Sequence, residues 1–234
     1  MPSYRWPLWQ PKLNVTSEWS LSFYATSSDG LNFTRPSLNL RKLPFVPDGA
    51  SSDVVVWAPG ADSNRGVLYD RHAVPAERYK MVGSFARNDS TIEPVAPAVF
   101  GTSVSPDGIQ WSAVREEAGP GFGGFHGDPD DVCIKLDSHM NAFFDPARGK
   151  YYAYIRVQPP PSCLKEHPTT CLFHRIGVTS SDDFKTWSPP VQILVGDSEE
   201  TNMTYAMVGW READTYLGMV MVCASLRHLV CFAA

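Results

Sequence analysis

The clearest strand-like pattern in the chain is Asp137-Ser-His-Met-Asn-Ala-Phe-Phe-Asp145 followed by Lys150-Tyr-Tyr-Ala-Tyr-Ile-Arg156. Both runs are rich in aromatic and apolar residues, which suit a pleated, half-buried surface. Asp145-Pro-Ala-Arg-Gly149 between them reads as a turn, because proline presets φ and glycine accepts a positive φ. Ahead of the apolar residues, Asp137, His139 and Asn141 stand two apart. On a strand that period puts all three on one face. An acid, an imidazole and an amide on one face can hydrogen-bond a sugar; the same triplet also serves simply to cap a strand.

The pattern repeats. Ala25-Thr-Ser-Ser-Asp-Gly-Leu-Asn-Phe33, Thr102-Ser-Val-Ser-Pro-Asp-Gly-Ile-Gln-Trp111 and Val178-Thr-Ser-Ser-Asp-Asp-Phe-Lys-Thr-Trp187 align with Asp29, Asp107 and Asp182 in register. A second series matches Asp62-Ser-Asn-Arg-Gly-Val-Leu-Tyr-Asp70 to the 137–145 run. A third holds Tyr79, Tyr151 and Tyr216 in similar surroundings. The interval is about 75 residues, enough for some four strands, which is the makeup of a propeller blade with long loops. In each Ser-x-Asp turn the acid accepts backbone amides, and glycine where it follows relieves a positive φ, so these acids read as structural. The aromatic that closes each turn is expected to bury its face between sheets. By this count residues before about 36 give the last strands of one blade, including one at 32–34. One blade fills about 53–115, another about 135–190, and a fourth begins near Thr204. The expectation is a single all-β domain over 1–222, an open arc of three to four blades, with a non-repeating tail at 223–234.

Composition narrows the function. A net charge of −5, with no Lys or Arg run longer than two, argues against a nucleic-acid partner. No apolar stretch approaches the length of a membrane span. The amino end lacks the basic-then-apolar pattern of a secretory leader. Four of the seven asparagines, Asn14, Asn32, Asn88 and Asn202, lie in Asn-x-Ser/Thr sequons, which leans toward a secretory route and a glycoprotein. Of five cysteines, Cys163 and Cys171 flank a proline-rich loop that a disulfide would close. His126-Gly-Asp-Pro-Asp-Asp131 lacks regular metal-ligand spacing, and Gly119-Pro-Gly-Phe-Gly-Gly124 lacks the ending of a phosphate loop. Both read as loops. No cofactor or metal is expected.

The Ser180-Ser-Asp-Asp-Phe-Lys-Thr-Trp187 segment resembles the blade signature of five-bladed β-propeller glycoside hydrolases, the fructosidase, arabinanase and xylosidase-type enzymes and their relatives. Pro75-Ala-Glu-Arg-Tyr-Lys80, Ser105-Pro-Asp-Gly-Ile-Gln-Trp111 and Ala213-Asp-Thr-Tyr-Leu-Gly218 share the resemblance, which covers about 19–222. It implies a central funnel where carboxylates from different blades meet at the starts of the innermost strands. On this sequence those are Asp137, Asp62 and Glu200, Glu200 lying just ahead of Thr201 in the internal alignment. Relatives place an acid before Tyr-Thr-Asn there, whereas this chain has Asn202-Met-Thr-Tyr-Ala. Glycoside cleavage needs one protonated carboxyl at the leaving oxygen and one ionised carboxylate at the sugar carbon or the water. The resemblance thus implies Asp137 as base or orienting acid, Glu200 as proton donor and Asp62 as the third acid. His139 and Asn141 would bind sugar hydroxyls. The partner is a carbohydrate, and the oligomeric state is left open. The alternatives are a catalytically inactive carbohydrate-binding propeller and a truncated product without function.

Overall fold

The computed structural model describes residues 19–40, 54–59, 65–86, 98–116, 133–134, 140–158, 175–194, 203–224 and 230–233. Their strands form four antiparallel sheets. The first pairs β1 (Trp19–Phe23) with β2 (Val54–Pro59). In the second, β3 (Arg65–Tyr69), β4 (Tyr79–Ala86), β5 (Ala98–Ser105) and β6 (Arg115–Glu116) lie in chain order. The third also holds β7 (Cys133–Ile134), β8 (Asn141–Asp145), β9 (Lys150–Gln158), β10 (Arg175–Ser181) and β11 (Val191–Leu194). There β10 and β11 follow β9 on one side, while β7 and β8 share its other side, β8 on residues 150–154 and β7 on 157–158. The fourth is β12 (Met203–Glu212), β13 (Thr215–Ala224) and β14 (Val230–Ala233). One turn of 3₁₀ helix, Pro75–Glu77, opens on proline, whose missing N–H costs nothing there. The described residues are therefore all-β, as the repeat predicts, and no closed sheet occurs among them.

The hairpins follow from local chemistry. In β3 the side chains alternate, burying Gly66 and Leu68 and exposing Val67 and Tyr69. The turn after β8 ends on Gly149 at φ 64°, as its sequence requires. Two expectations about partners differ from the structure. Val54–Pro59 pairs with β1 in the first sheet and does not open the second. A continuous Val-Val-Val-Trp run carries no alternation, so its sequence specifies a strand without specifying a neighbour. The strand expected at 32–34 is reduced to a bridge between Thr26 and Thr34, closed by N–H···O bonds of 2.9 and 2.8 Å. Val230–Ala233 adds a third strand to its sheet, with Cys231 opposite Cys223 in the backbone register.

The Ser-x-Asp turns are three copies of one hydrogen-bond set. Asp29 Oδ1 accepts the N–H of Leu31 and of Asn32, both at 2.8 Å, and the Ser27 hydroxyl at 2.8 Å. Asp107 accepts Ile109, Gln110 and Ser105 in the same way. The third copy corrects the alignment. Asp183, not Asp182, accepts Lys185, Thr186 and Ser181. Asp182 instead pairs with Lys150 Nζ at 2.8 Å on the surface. Shifting by one puts Phe184 where the other copies have Gly30 and Gly108, and all three residues adopt φ between 62° and 74°. A phenylalanine holds that left-handed conformation because its ring is buried against Tyr151 and Trp187. The closing aromatics diverge. Trp187 is buried edge-on to Phe100 of the second sheet, Trp111 is half-buried, and Phe33 is exposed.

The core lies between the second and third sheets. Leu68, Val82 and Phe100 on one side meet Ala142, Ile155 and Trp187 on the other. At about 25 cal/mol per Å² of apolar surface removed from water, this packing is the main force holding the two repeats together.

Candidate functional site

Asp62, Asp137, His139 and Glu200 lie outside the described residues, as do Cys163 and Cys171. Of the proposed sugar-binding residues, Asn141 is described. It opens β8, and its Oδ1 accepts the Gly209 N–H of β12 at 3.0 Å. This bond ties the third sheet to the fourth, while the Asn141 Nδ2 has no partner among the described residues. Two positions further along the same face from Tyr154, Arg156 of β9 places its guanidinium 4.8 Å from the Tyr205 ring centroid on β12. Arg156 went unnoticed in the sequence because nothing marks one arginine in a buried strand as facing another sheet.

The strands that follow the predicted acids in the chain are neighbours. β3 lies against β8 so closely that a Cβ on Gly66 would collide with the Met140 carbonyl. β12 lies against β8 and β9, and a Cβ on Gly209 would enter the Tyr154 ring. The fourth hairpin turns through two residues, 213–214, where the third uses four. Counted back from Glu212, the place of Asp137 therefore falls at Thr204, beside a register irregularity, and not at Thr201.

The best-defined polar constellation joins one sheet to the next, and it occurs twice. Asp70 is buried at the end of β3; its Oδ1 accepts the His72 N–H at 2.9 Å and its Oδ2 accepts the Tyr151 hydroxyl of β9 at 2.6 Å. Asp145 ends β8 with no exposed surface. Its Oδ1 accepts the Ala147 N–H at 3.0 Å and Arg211 Nη1 at 3.0 Å, and its Oδ2 accepts the Tyr216 hydroxyl of β13. Each acid thus caps its own turn with one oxygen and receives the tyrosine of the next repeat with the other. The turn role was legible in the sequence. The cross-sheet role was not, although acid and tyrosine both recur there.

Burial alone raises the Asp145 carboxyl, but the Tyr216 hydroxyl, the Ala147 amide and the Arg211 charge outweigh it and hold the group below its ordinary 3.8. The hydrogen bond to Asp145, and then burial, push Tyr216 from 10.0 up to about 12. Burial and the bond to Asp70 push Tyr151 up as well. These signs give opposite limbs of a pH profile. The lowered Asp145 contributes stability above pH 3.8, lost as pH falls through its folded value. The raised Tyr216 contributes stability below pH 10, lost as pH climbs toward 12. Urea midpoints measured across pH should fall on both limbs, and Tyr216→Phe should flatten the alkaline one. An unchanged alkaline limb in that variant would show that the hydroxyl does not carry it.

Beside this junction a cleft of about 150 Å³ separates β4, β5 and the start of β6 from the Asp183 turn. Lys80, Arg115, Lys185, Glu77 and Asp183 line it. The Lys80 ammonium is almost fully buried, 3.7 Å from Glu77 Oε2 and about 5 Å from the Tyr151 and Phe184 ring centres. Burial lowers its pKa against the pull of Glu77 and Asp70. With two ring faces and one carboxylate around it, this group makes an interior cation–π contact. Among the described residues no cluster of His, Cys, Asp or Glu could hold a metal ion, and no helix is long and apolar enough to cross a membrane.

No protein-family model matches the chain, and no curated protein matches its sequence. Among solved structures it is similar to an N-acetylgalactosamine deacetylase from F. plautii in complex with blood group B trisaccharide. The identity is 12% over 85% of this chain and 50% of that one, with a TM-score of 0.47. It is also similar to an exo-β-1,3-galactanase from Clostridium thermocellum, 13% identical over 70% of this chain and 32% of that one, at 0.42. An α-L-arabinofuranosidase from Fusarium graminearum with an iminosugar inhibitor follows at 12% over 74% and 50%, at 0.34. The chain spans half or less of the length of each.

Proposed function

We propose that the chain is an arc of β-propeller blades of the glycoside-hydrolase type, acting on O-glycosidic bonds of an oligo- or polysaccharide through carboxylates ahead of β3, β8 and β12. The observation that supports this reading is the stacking of those three strands, one from each of three successive sheets. The acids Asp62, Asp137 and Glu200 each stand a few residues ahead of one of them in the sequence. In that role Asp137 is base or orienting acid, Glu200 the donor that protonates the leaving oxygen, and Asp62 the third acid. His139 and the Asn141 amide nitrogen hydrogen-bond sugar hydroxyls. Neighbouring charge and burial would separate the carboxyl pKa values so that one stays protonated while another is ionised.

A panel of chromogenic furanosides and pyranosides tests this. Turnover of at least one is expected, and Asp137→Asn should lower kcat by several orders of magnitude with the fold unchanged, because the base or orienting acid is lost. Full turnover in that variant overturns the assignment. Glycan binding without any turnover selects instead a carbohydrate-binding propeller, a reading favoured by the departure at Asn202-Met-Thr-Tyr.

A further inference from the structure

The register of the three hairpins identifies an uncovered face and what fits it. Asp70, Asp145 and Glu212 are equivalent, since each stands opposite the residue before the tyrosine that opens the second strand. Those tyrosines are Tyr79, Tyr151 and Tyr216. On the second sheet Gly66, Leu68 and Asp70 face the third sheet, and on the third Asn141, Phe143 and Asp145 face the fourth. The corresponding residues of the fourth sheet are Val208, Trp210 and Glu212 on β12, with Leu217 and Met219 directly opposite on β13. This face is apolar and open: Val208 is 47% exposed, Trp210 38%, Leu217 41% and Met219 53%. An apolar cross-strand patch of this kind marks an interaction surface.

Its complement is open along β3, while Met81 and Phe85 on the β4 half of that side are buried and packed with Trp111. The opposite side of the second sheet presents Val67 and Tyr69, each 55% exposed, beside Tyr79. β2 touches β4 but leaves both side chains in solvent. Tyr79 is the third tyrosine of the series, and among the described residues its hydroxyl has no carboxylate. Glu212 is the third acid, and among the described residues it has no tyrosine. We propose that the β12–β13 face docks on the β3–β4 face of a second copy of this chain. Glu212 accepts the Tyr79 hydroxyl of that copy, repeating the Asp70–Tyr151 and Asp145–Tyr216 junctions between molecules. The contact joins two different faces, so it is head-to-tail, closing into a ring or extending as a chain.

Light scattering on the purified chain over a concentration series tests this. Mass should rise above that of the monomer with concentration. Trp210→Arg breaks one face and Tyr69→Arg the other, and each variant alone should be monomeric. Mixed in equal amounts they should form a dimer and nothing larger, because each keeps the face the other lacks. Leu217→Lys with Val67→Lys gives a second pair should the first fold poorly. Glu212→Gln and Tyr79→Phe should each weaken association about tenfold, the scale of one charge-assisted hydrogen bond. A wild-type chain that stays monomeric, a single-face variant that still associates, or a mixture that remains monomeric each overturns the proposal.

Discussion

Asp145→Ala is expected to destabilise the protein by about 3–5 kcal/mol, the cost of removing one partner from a buried charged network. The substitution leaves three donors without their acceptor: the Ala147 amide, Arg211 and the Tyr216 hydroxyl. Arg211 keeps Asp214 at 3.0 Å, but that carboxylate is fully in solvent and holds the guanidinium weakly. Tyr216→Phe removes one bond to a charged acceptor and should cost less, about 1.5–3 kcal/mol. Urea denaturation of both single variants and the double variant isolates the coupling between them. Asp29→Ala supplies the comparison, since Asp29 also accepts turn amides, those of Leu31 and Asn32, but lies on the surface and has no bond to another sheet among the described residues. A loss at Asp145 no larger than at Asp29 would mean that the cross-sheet bonds add nothing.

Gly66→Ala should cost about 3 kcal/mol, at the upper end for an inserted methyl group. The new Cβ would strike the carbonyl oxygen and carbon of Met140. Both are backbone atoms leading into β8, so no rotamer change relieves the contact. The second and third sheets must move apart across the core that contains Leu68, Phe100 and Trp187. Gly149→Ala separates this effect from that of losing a glycine. Gly149 has open space around it and a φ of 64°, so alanine there pays only the left-handed backbone cost of about 1–2 kcal/mol. Thermal melts of the two variants should differ clearly. Equal losses would show that the sheets yield at Gly66 without penalty.

The features that were legible in the sequence are those decided within a few residues. The hairpin at 141–158 and its Gly149 turn follow from aromatic and apolar runs on either side and from the φ that glycine tolerates. The Asp29 and Asp107 turns follow from carboxylates within reach of amides two and three residues on. The third copy was misread by one residue because Ser180-Ser-Asp-Asp offers two registers, and a glycine that would have chosen between them is absent. Phe184 chooses through packing: its ring reaches Tyr151, which lies in another strand. Of the site, the sequence supplied candidates. Asn141 is the one the structure describes, and part of its amide is engaged by Gly209, 68 residues away.

The sequence by itself determined an all-β chain of repeated antiparallel hairpins, with acids at their turns and a tyrosine opening each second strand. Period, turn chemistry and recurrence are local properties, and hydrogen bonds within a turn need no distant partner. The tertiary structure alone decided what those acids and tyrosines do. Asp145 meets Tyr216 across 71 residues of chain, and Asp70 meets Tyr151 across 81. Such pairings depend on which sheet packs on which, and that choice is made by the burial of a shared core, where no single segment carries the information.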